Sequence, residues 1–125
     1  MVDNPPHIAI AAAQDWLSTH NAAIIDVREP HEYAAARLPG ALPLPQADVA
    51  DRIEELPRDK DLLVVCAHGV RSLRVTHFLL WYGFESVTSL DGGTTGWVAA
   101  GLPVEGDHPE APVDPKIEHL FHAGS

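Results

Sequence analysis

Cysteine, positive charge and long apolar runs are all scarce in this sequence, and each scarcity excludes a structural feature or a class of partner. One cysteine in 125 residues cannot form a disulfide within the chain, so stability does not depend on an oxidising compartment. The 8 Lys and Arg residues stand against 18 Asp and Glu, and the net charge of −10 would repel nucleic acids and anionic membranes. No apolar run reaches the roughly 18 residues that a membrane span needs, and no basic segment opens the chain. We therefore expect a cytoplasmic protein that binds neither nucleic acid nor membrane.

The hydrophobic pattern alternates between short apolar runs and amphipathic segments. Apolar runs at 22–26 and 61–66 predict buried strands, and SVTSL at 86–90 predicts another strand. Helices are predicted from about residue 10 to 20, over 31–38, 46–56 and 72–82, and from 94 to about 100. This order predicts an α/β fold, namely a doubly wound, mainly parallel sheet with helices on both faces.

The length fits one domain, which we place at residues 7–105. Residues 106–125 are expected to form an acidic, Pro-containing C-terminal tail. The aromatic residues near the end of the domain are expected to pack in the core and between helices; they are Trp81, Tyr82, Phe84 and Trp97.

The single cysteine, Cys66, ends the most apolar run of the chain, DLLVVC. In open α/β sheets, ligands bind at the carboxyl ends of strands, where loops lead into helices. The loop from Ala67 to Val70 is short, contains Gly69, and leads into a helix whose first amides lack partners within the helix. Those amides and the guanidinium of Arg71 would stabilise negative charge on the sulfur. The pattern predicts a nucleophilic thiolate at neutral pH.

A thiolate in such a loop suits chemistry in which sulfur attacks a substrate, carries a group and hands it on. Four segments, in order, resemble the motifs of single-domain rhodanese-like sulfurtransferases. They are DVREPHEY (26–33), LPGALPLP (38–45), VVCAHGVRS (64–72) and LDGGTTGWVAAGLPVE (90–105). The resemblance implies that Cys66 accepts a sulfane sulfur as a persulfide. It also implies a small-molecule or protein sulfur donor, and a thiol or cyanide as acceptor.

The same resemblance assigns expected roles to individual residues. Cys66 is the expected catalytic residue, and the expected substrate-binding residues are Ala67, His68, Gly69, Val70, Arg71 and Ser72. For His68, a place at the mouth of the site and a place in solvent both stay open. Ser72 is most simply a cap of the following helix. Asp26 and Arg28 are expected to form a structural ion pair beside the loop.

Loop length favours sulfur transfer over phosphate chemistry. Four residues separate Cys66 from Arg71, which resembles the loop of sulfurtransferases, whereas phosphatases related by fold have five and a wider cradle. Arg71 differs from the hydroxyl residue that usually ends mercaptopyruvate-type loops, and this favours thiosulfate as donor. Thiosulfate-using members often have a second arginine after the cysteine, and here Ala67 replaces it. A persulfide donor therefore stays an alternative.

Two other classes of function stay open from the sequence. One is a non-enzymatic rhodanese-like binding or regulatory module whose cysteine is incidental. The other is a small phosphatase or arsenate reductase, which the short loop disfavours. We expect no cofactor. We also expect no metal site, because His68 and His77 are nine residues apart, and His119 and His122 belong to the predicted tail.

Overall fold

A computed structural model describes residues 4–107 of the chain. The strands are His7–Ile8 (β1), Ala22–Asp26 (β2), Leu42–Pro43 (β3), Asp61–Val65 (β4) and Val87–Leu90 (β5). The α-helices are Ile10–Thr19 (α1), Pro30–Ala35 (α2), Val70–Tyr82 (α3) and Gly93–Ala99 (α4). The strand order is β1-β5-β4-β2-β3, and every neighbouring pair is parallel. The predicted α/β fold with a parallel sheet is confirmed.

Two apolar layers cover the two faces of the sheet. Side chains alternate between faces along a strand, so Leu62 and Val64 of β4 pack in the core on the α3 side. Leu63 and Val65 pack in the opposite core, which α1 and α4 cover. Because β4 is buried on both faces, its sequence is a continuous apolar run rather than an alternating one.

The strand order places the end of β4 at a switch in chain direction. From β2 the chain moves outward to β3, and from β4 it moves the other way to β5. β2 and β4 are adjacent, with Asp26 paired in register with Val65. Such a switch leaves a crevice at the carboxyl ends of the two strands, and this is where Cys66 follows β4.

Helix α3 begins two residues earlier than the sequence predicts, at Val70 rather than Ser72. It ends where predicted, at Gly83, whose φ of 116° lies in the left-handed region. The Gly83 amide donates to the carbonyl oxygens of Leu79 and Leu80, and a residue with a Cβ would be strained at this φ.

The helix predicted over residues 46–56 is wrong. The segment instead forms two short 3-10 turns, Gln46–Asp48 and Ile53–Glu55. Arg52, at φ −111° and ψ 19°, interrupts helical geometry before the second turn. Val49, Ile53 and Leu56 are nevertheless buried in the α3-side core. Two consecutive turns satisfy the same apolar spacing, which is why the pattern indicated a helix.

Two of the four aromatic residues assigned to packing are exposed, and that part of the prediction is wrong. Phe84 and Trp97 are buried, but Trp81 is 68% and Tyr82 44% exposed. Both exposed rings lie at the end of α3 beside the half-buried Phe78, on which Trp81 stacks at 6.2 Å between centroids. An apolar helix sequence did not distinguish its outer face from its inner one.

The described chain continues past the last helix to pack against α2. Arg37 and Glu105 form an antiparallel bridge, and the Asp107 amide donates to the Ala34 carbonyl at 2.8 Å. From residue 108 onward the predicted tail lies outside the described residues, as do His119 and His122. Between residues 4 and 107, no helix is both long and apolar enough to cross a membrane.

Candidate functional site

Cys66 directly follows β4 at the crevice between β4 and β2, as the sequence predicts. The residue is only 1% exposed and belongs to the α3-side core. Its sulfur nevertheless accepts hydrogen bonds from two backbone amides. The Gly69 amide donates to Cys66 Sγ at 3.0 Å and the Ser72 amide at 3.3 Å. The thiol therefore lies at the base of a loop whose backbone donors converge on it, rather than in a purely apolar environment.

Gly69 makes this convergence possible through its backbone. Its φ is 98°, in the left-handed region, and a Cβ at this position would lie 3.2 Å from the Gly92 amide nitrogen. A side chain would thus be both strained and crowded. The turn at Gly69 directs its own amide and the Ser72 amide in the first turn of α3 toward the sulfur, which lies near the positive end of the helix dipole.

Ser72 does not cap α3, and that prediction is wrong. It is the third residue of the helix, while Gly69 occupies the cap position without a capping side chain. The Ser72 hydroxyl instead lies 3.3 Å from Cys66 Sγ and 2.7 Å from the hydroxyl of Ser89 on β5. Sequence reasoning missed Ser89, because nothing in the pattern distinguishes one serine of a buried strand from another.

Arg71, at the end of the loop, is held by a carboxylate from α2. Its Nη1 and Nη2 donate to Glu32 Oε1 and Oε2 at 2.9 and 3.1 Å. The Arg71 side chain is 30% exposed, whereas that of Glu32 is 10% exposed. Sequence analysis gave Glu32 no place in the site. Its place in the DVREPHEY motif, which also holds Asp26 and Arg28, is the signal that could have identified it.

Each member of this ion pair shifts the pKa of the other. Partial burial raises the pKa of Glu32, whereas the hydrogen bonds from Arg71 and from the Glu29 amide lower it. The charges of Arg71 and Arg28 act in the same direction, so the pKa of Glu32 lies below its ordinary value. The pKa of Arg71 is raised, chiefly by its hydrogen bonds to Glu32 and against partial desolvation. The negative charge of Glu32 adds to the rise, and smaller contributions come from the neighbouring Cys66 and Glu29.

Asp26 and Arg28 form the predicted ion pair, and both side chains are fully buried. Arg28 Nη2 donates to Asp26 Oδ2 at 2.8 Å and to the Ala36 carbonyl at 2.6 Å. Arg28 Nε also donates to Asp26 Oδ1 at 3.0 Å. These bonds connect the end of β2 to the end of α2. They fix the helix that carries Glu32 relative to the strand beside Cys66.

The first turn of α4 supports the loop from behind. The Thr94 amide donates to the Cys66 carbonyl at 2.9 Å, and the Thr95 amide donates to the Ala67 carbonyl at 3.1 Å. Gly93 has a φ of 58°, and a Cβ there would overlap the carbonyl oxygens of Cys66 and Ala67. The LDGGTTGW motif is therefore the surface against which the Cys66 loop packs.

The remaining loop residues differ in exposure. Ala67 is buried, whereas His68 is exposed and Val70 is 58% exposed. The structure thus places Cys66 and the six predicted substrate-binding residues on one loop and the first turn of α3. Among residues 4–107, no group of three His, Cys, Asp or Glu side chains is arranged to hold a metal ion.

Comparison with known proteins identifies the family. Residues 9–100 match the rhodanese-like domain. The chain is 38% identical over 94 residues to the thiosulfate sulfurtransferase GlpE of Pseudoalteromonas translucida, covering 75% of this chain and 90% of that protein. It is 34% identical over 92 residues to a sulfurtransferase of Allochromatium vinosum, covering 74% and 86%. The crystal structure of a rhodanese-related protein from Thermoplasma volcanium superposes with a TM-score of 0.74 at 29% identity, covering 80% and 97%. The chain belongs to the rhodanese-like domain family.

Proposed function

We propose that this protein transfers a sulfane sulfur from thiosulfate to a thiol or cyanide through a persulfide on Cys66. The observation that carries the proposal is the convergence of the Gly69 and Ser72 amides on the sulfur of the only cysteine. Backbone donors directed at a sulfur stabilise its anionic form, which is the nucleophile. The relatives named thiosulfate sulfurtransferase support the choice of donor.

In the first half-reaction, the Cys66 thiolate attacks the outer sulfur of thiosulfate. A new sulfur–sulfur bond forms at Cys66, the sulfur–sulfur bond of thiosulfate breaks, and sulfite leaves with the bonding electron pair. Backbone donors of residues 67–72 and the guanidinium of Arg71 bind the charge on the donor and on the departing sulfite. The products are sulfite and a Cys66 persulfide.

In the second half-reaction, a nucleophile attacks the outer sulfur of the persulfide. Cyanide leaves as thiocyanate, and a thiol leaves as a persulfide of the acceptor. In both cases the electron pair of the breaking bond returns to Cys66 as a thiolate. The same backbone donors that stabilised the attacking sulfur therefore stabilise it as the leaving group.

Arg71 supplies the local positive charge that an anionic donor requires in a protein of net charge −10. Glu32 holds the guanidinium in one orientation by two hydrogen bonds. An arginine with a fixed orientation loses less side-chain entropy when a donor binds than a free one would. Asp26 and Arg28 act indirectly, because they fix the position of α2, which carries Glu32. We assign them no contact with substrate.

Burial of Cys66 restricts which donors can react. A residue that is 1% exposed at the base of its loop can meet only a narrow, terminal atom. The outer sulfur of thiosulfate is such an atom, and so is the outer sulfur of a persulfide, which is the competing donor. We place the reaction in the domain of residues 7–105 and in the cytoplasm, where a reducing environment keeps Cys66 available.

Separate half-reactions test this proposal. The protein is mixed with thiosulfate, released sulfite is measured, small molecules are removed, and cyanide is then added. We expect about one sulfite per chain in the first step and about one thiocyanate in the second, as a covalent intermediate requires. Steady-state kinetics should be ping-pong. A Cys66→Ser variant that still transferred sulfur at the wild-type rate would refute the proposal.

A further inference from the structure

Two buried hydroxyl groups extend the hydrogen bonding of Cys66 into the sheet. Ser72 Oγ lies 3.3 Å from Cys66 Sγ, and Ser89 Oγ lies 2.7 Å from Ser72 Oγ. Both serines are 0% exposed. The three atoms come from three elements, because Cys66 follows β4, Ser72 lies on α3 and Ser89 lies on β5. They form one chain of hydrogen bonds that ends at Ser89.

The direction of this chain depends on the charge of the sulfur, since each hydroxyl has one proton to donate. With a thiolate, Ser89 donates to Ser72 and Ser72 donates to the sulfur, so both hydroxyl protons are bound within the chain. With a thiol, the S–H donates to Ser72 and Ser72 donates to Ser89. The Ser89 proton then has no acceptor within the chain. Ser72 is the one hydrogen-bond partner of Ser89 Oγ among residues 4–107.

We propose that Ser89 is a positioning residue that directs the Ser72 proton at Cys66 and so favours its thiolate form. The inference deepens the proposed function by adding a residue that touches neither donor nor acceptor. Reversal of the chain needs only rotation of two hydroxyls. The proton released by Cys66 passes to water or buffer, and the serines keep their own. A buried donor without an acceptor is unfavourable, and this penalty falls on the thiol form alone.

The test is the pH dependence of Cys66 alkylation by iodoacetamide, which requires no sulfur donor. In Ser89→Ala, we expect the midpoint of the rate profile to move up by about half to one pH unit, a typical effect of losing one hydrogen bond to a charged group. Ser89→Thr keeps the hydroxyl and should restore the wild-type midpoint. With thiosulfate, Ser89→Ala should lower kcat near neutral pH and leave KM unchanged. Because the alkylation profile is independent of sulfur transfer, the inference can fail while the proposed function stands.

A matched control comes from the same helix as Ser72. Thr76 is also 0% exposed, and its hydroxyl has no hydrogen-bond partner among the described residues. Thr76→Val removes a buried hydroxyl at nearly constant volume and should leave the alkylation midpoint unchanged. The inference is overturned if the folded Ser89→Ala protein has the wild-type midpoint. It is equally overturned if Thr76→Val shifts the midpoint as far as Ser89→Ala does.

A different observation concerns the outer surface of α3. The 13 residues of this helix include two Arg and one His but no Asp or Glu, in a chain with 18 acidic residues. Val70, Arg74, His77 and Trp81 recur at helical spacing on one side, and we call these four residues the α3 strip. Val70 is 58% and Trp81 68% exposed. The α3 strip begins beside Gly69 of the Cys66 loop and extends about 16 Å along the helix.

A shallow groove runs beside the α3 strip. Its lining residues are Gln46, Val49, Ala50, Arg74, Val75 and Phe78. A second recess, lined by Arg74, His77, Phe78 and Trp81, continues it. Among residues 4–107, no carboxylate lines either recess. A partner that presents acidic side chains would therefore meet complementary charge here, in contrast to the net negative charge of the whole chain.

We infer that the α3 strip binds the sulfur acceptor, and that this acceptor is a protein thiol flanked by acidic side chains and one large apolar residue. The inference rests on the proposed function. The acidic side chains would lie against Arg74 and His77, and the apolar residue would contact Trp81 and Phe78. Docking on α3 would hold the acceptor thiol near the loop from which the persulfide sulfur leaves.

The probes are two cysteine peptides that differ only in four flanking residues, all Glu in one and all Lys in the other, each with one Leu. We expect the Glu peptide to have a KM about fivefold lower than the Lys peptide, the effect of one or two surface charge pairs. Arg74→Glu should remove this preference, and Trp81→Ser should raise KM for both peptides. Lys60→Glu makes the same charge change at an exposed residue beside the opposite end of β4, and it should change neither.

Cyanide as acceptor separates this inference from the proposed function. Cyanide turnover should be unchanged in Arg74→Glu and Trp81→Ser, because cyanide needs no docking surface. Absence of cyanide turnover in the wild type would refute the proposed function itself. Equal use of the two peptides, or an equal effect of Lys60→Glu and Arg74→Glu, would overturn docking at α3. Docking at α3 would also be overturned if light scattering gave Trp81→Ser a different molecular mass from the wild type. That result would assign the α3 strip to contact between copies of the chain.

Discussion

Replacing Glu32 by Gln tests how Arg71 is positioned. Glu32 accepts two hydrogen bonds from Arg71 at 2.9 and 3.1 Å, whereas the amide of glutamine offers one acceptor oxygen and no charge. One charge-assisted bond is lost and the other becomes a bond to a neutral acceptor. Because the Arg71 side chain is 30% exposed, solvent offsets part of the loss. We expect Glu32→Gln to lower the free energy of unfolding by about 1–2 kcal/mol at pH 7 and Tm by about 5–10 °C.

The pH dependence of this loss has a definite sign. The pKa of Glu32 in the folded protein lies below its ordinary value of 4.5. The ion pair therefore stabilises the fold fully above pH 4.5, and the stabilisation is lost as the pH falls through the folded pKa of Glu32. The difference in stability between wild type and Glu32→Gln should be largest near neutral pH. It should shrink toward zero once the pH lies well below the folded pKa of Glu32, where both variants carry a neutral side chain.

Urea unfolding at neutral and acidic pH measures this difference. The control is Glu54→Gln, which removes the same charge from an exposed residue and should change stability at neither pH. Glu32→Gln should also lower kcat/KM for thiosulfate by about tenfold, because a free Arg71 must be ordered anew by each donor. A stability difference that stays constant between the two pH values would refute the argument that an ionised Glu32 holds Arg71.

Four further substitutions have expected outcomes. Gly93→Ala should abolish transfer and destabilise the fold by about 3 kcal/mol or more, because its Cβ would overlap the loop carbonyls. Gly40→Ala, also at positive φ but with open space around it, should cost only about 1 kcal/mol in chemical denaturation and leave transfer intact. Asp26→Asn should destabilise the protein by about 3–5 kcal/mol, because it leaves the buried Arg28 charge without its partner; circular dichroism during thermal unfolding measures this. Arg71→Lys should keep the positive charge but lose the bidentate hydrogen bonding to Glu32. We expect it to lower kcat/KM for thiosulfate about tenfold in steady-state assays.

The fold could be predicted where the pattern of apolar residues fits only one type of secondary structure. Apart from one aspartate in each, the runs at 22–26 and 61–66 are apolar, and a strand covered on both faces buries most residues of such short segments. The segment 46–56 could not be predicted in this way. Its buried residues, Val49, Ile53 and Leu56, fit one helical face and two successive turns equally well. The exposure of Trp81 depends on which side of α3 meets the sheet, and the run of apolar and aromatic residues at the end of the helix, 78–82, did not reveal it.

The site residues on the Cys66 loop could be predicted from the sequence, whereas those that other elements contribute could not. Cys66, Gly69 and Arg71 lie within six residues, so their proximity follows from the sequence alone. Glu32 and Ser89 reach the same place from α2 and β5, and only the packing of those elements brings them there. The role of Ser72 changed for the same reason. Its hydroxyl turns toward Cys66 and Ser89 because the helix begins at Val70 and places Ser72 inside the first turn.

Intact-mass spectrometry of the protein after brief treatment with thiosulfate tests the central claim most directly. The account predicts a gain of about 32 daltons, the mass of one sulfur atom, that disappears on addition of cyanide and never forms on Cys66→Ser. Treatment with mercaptopyruvate should give less of the same adduct. An unchanged mass under thiosulfate, or the same gain in Cys66→Ser, would contradict a persulfide at this cysteine.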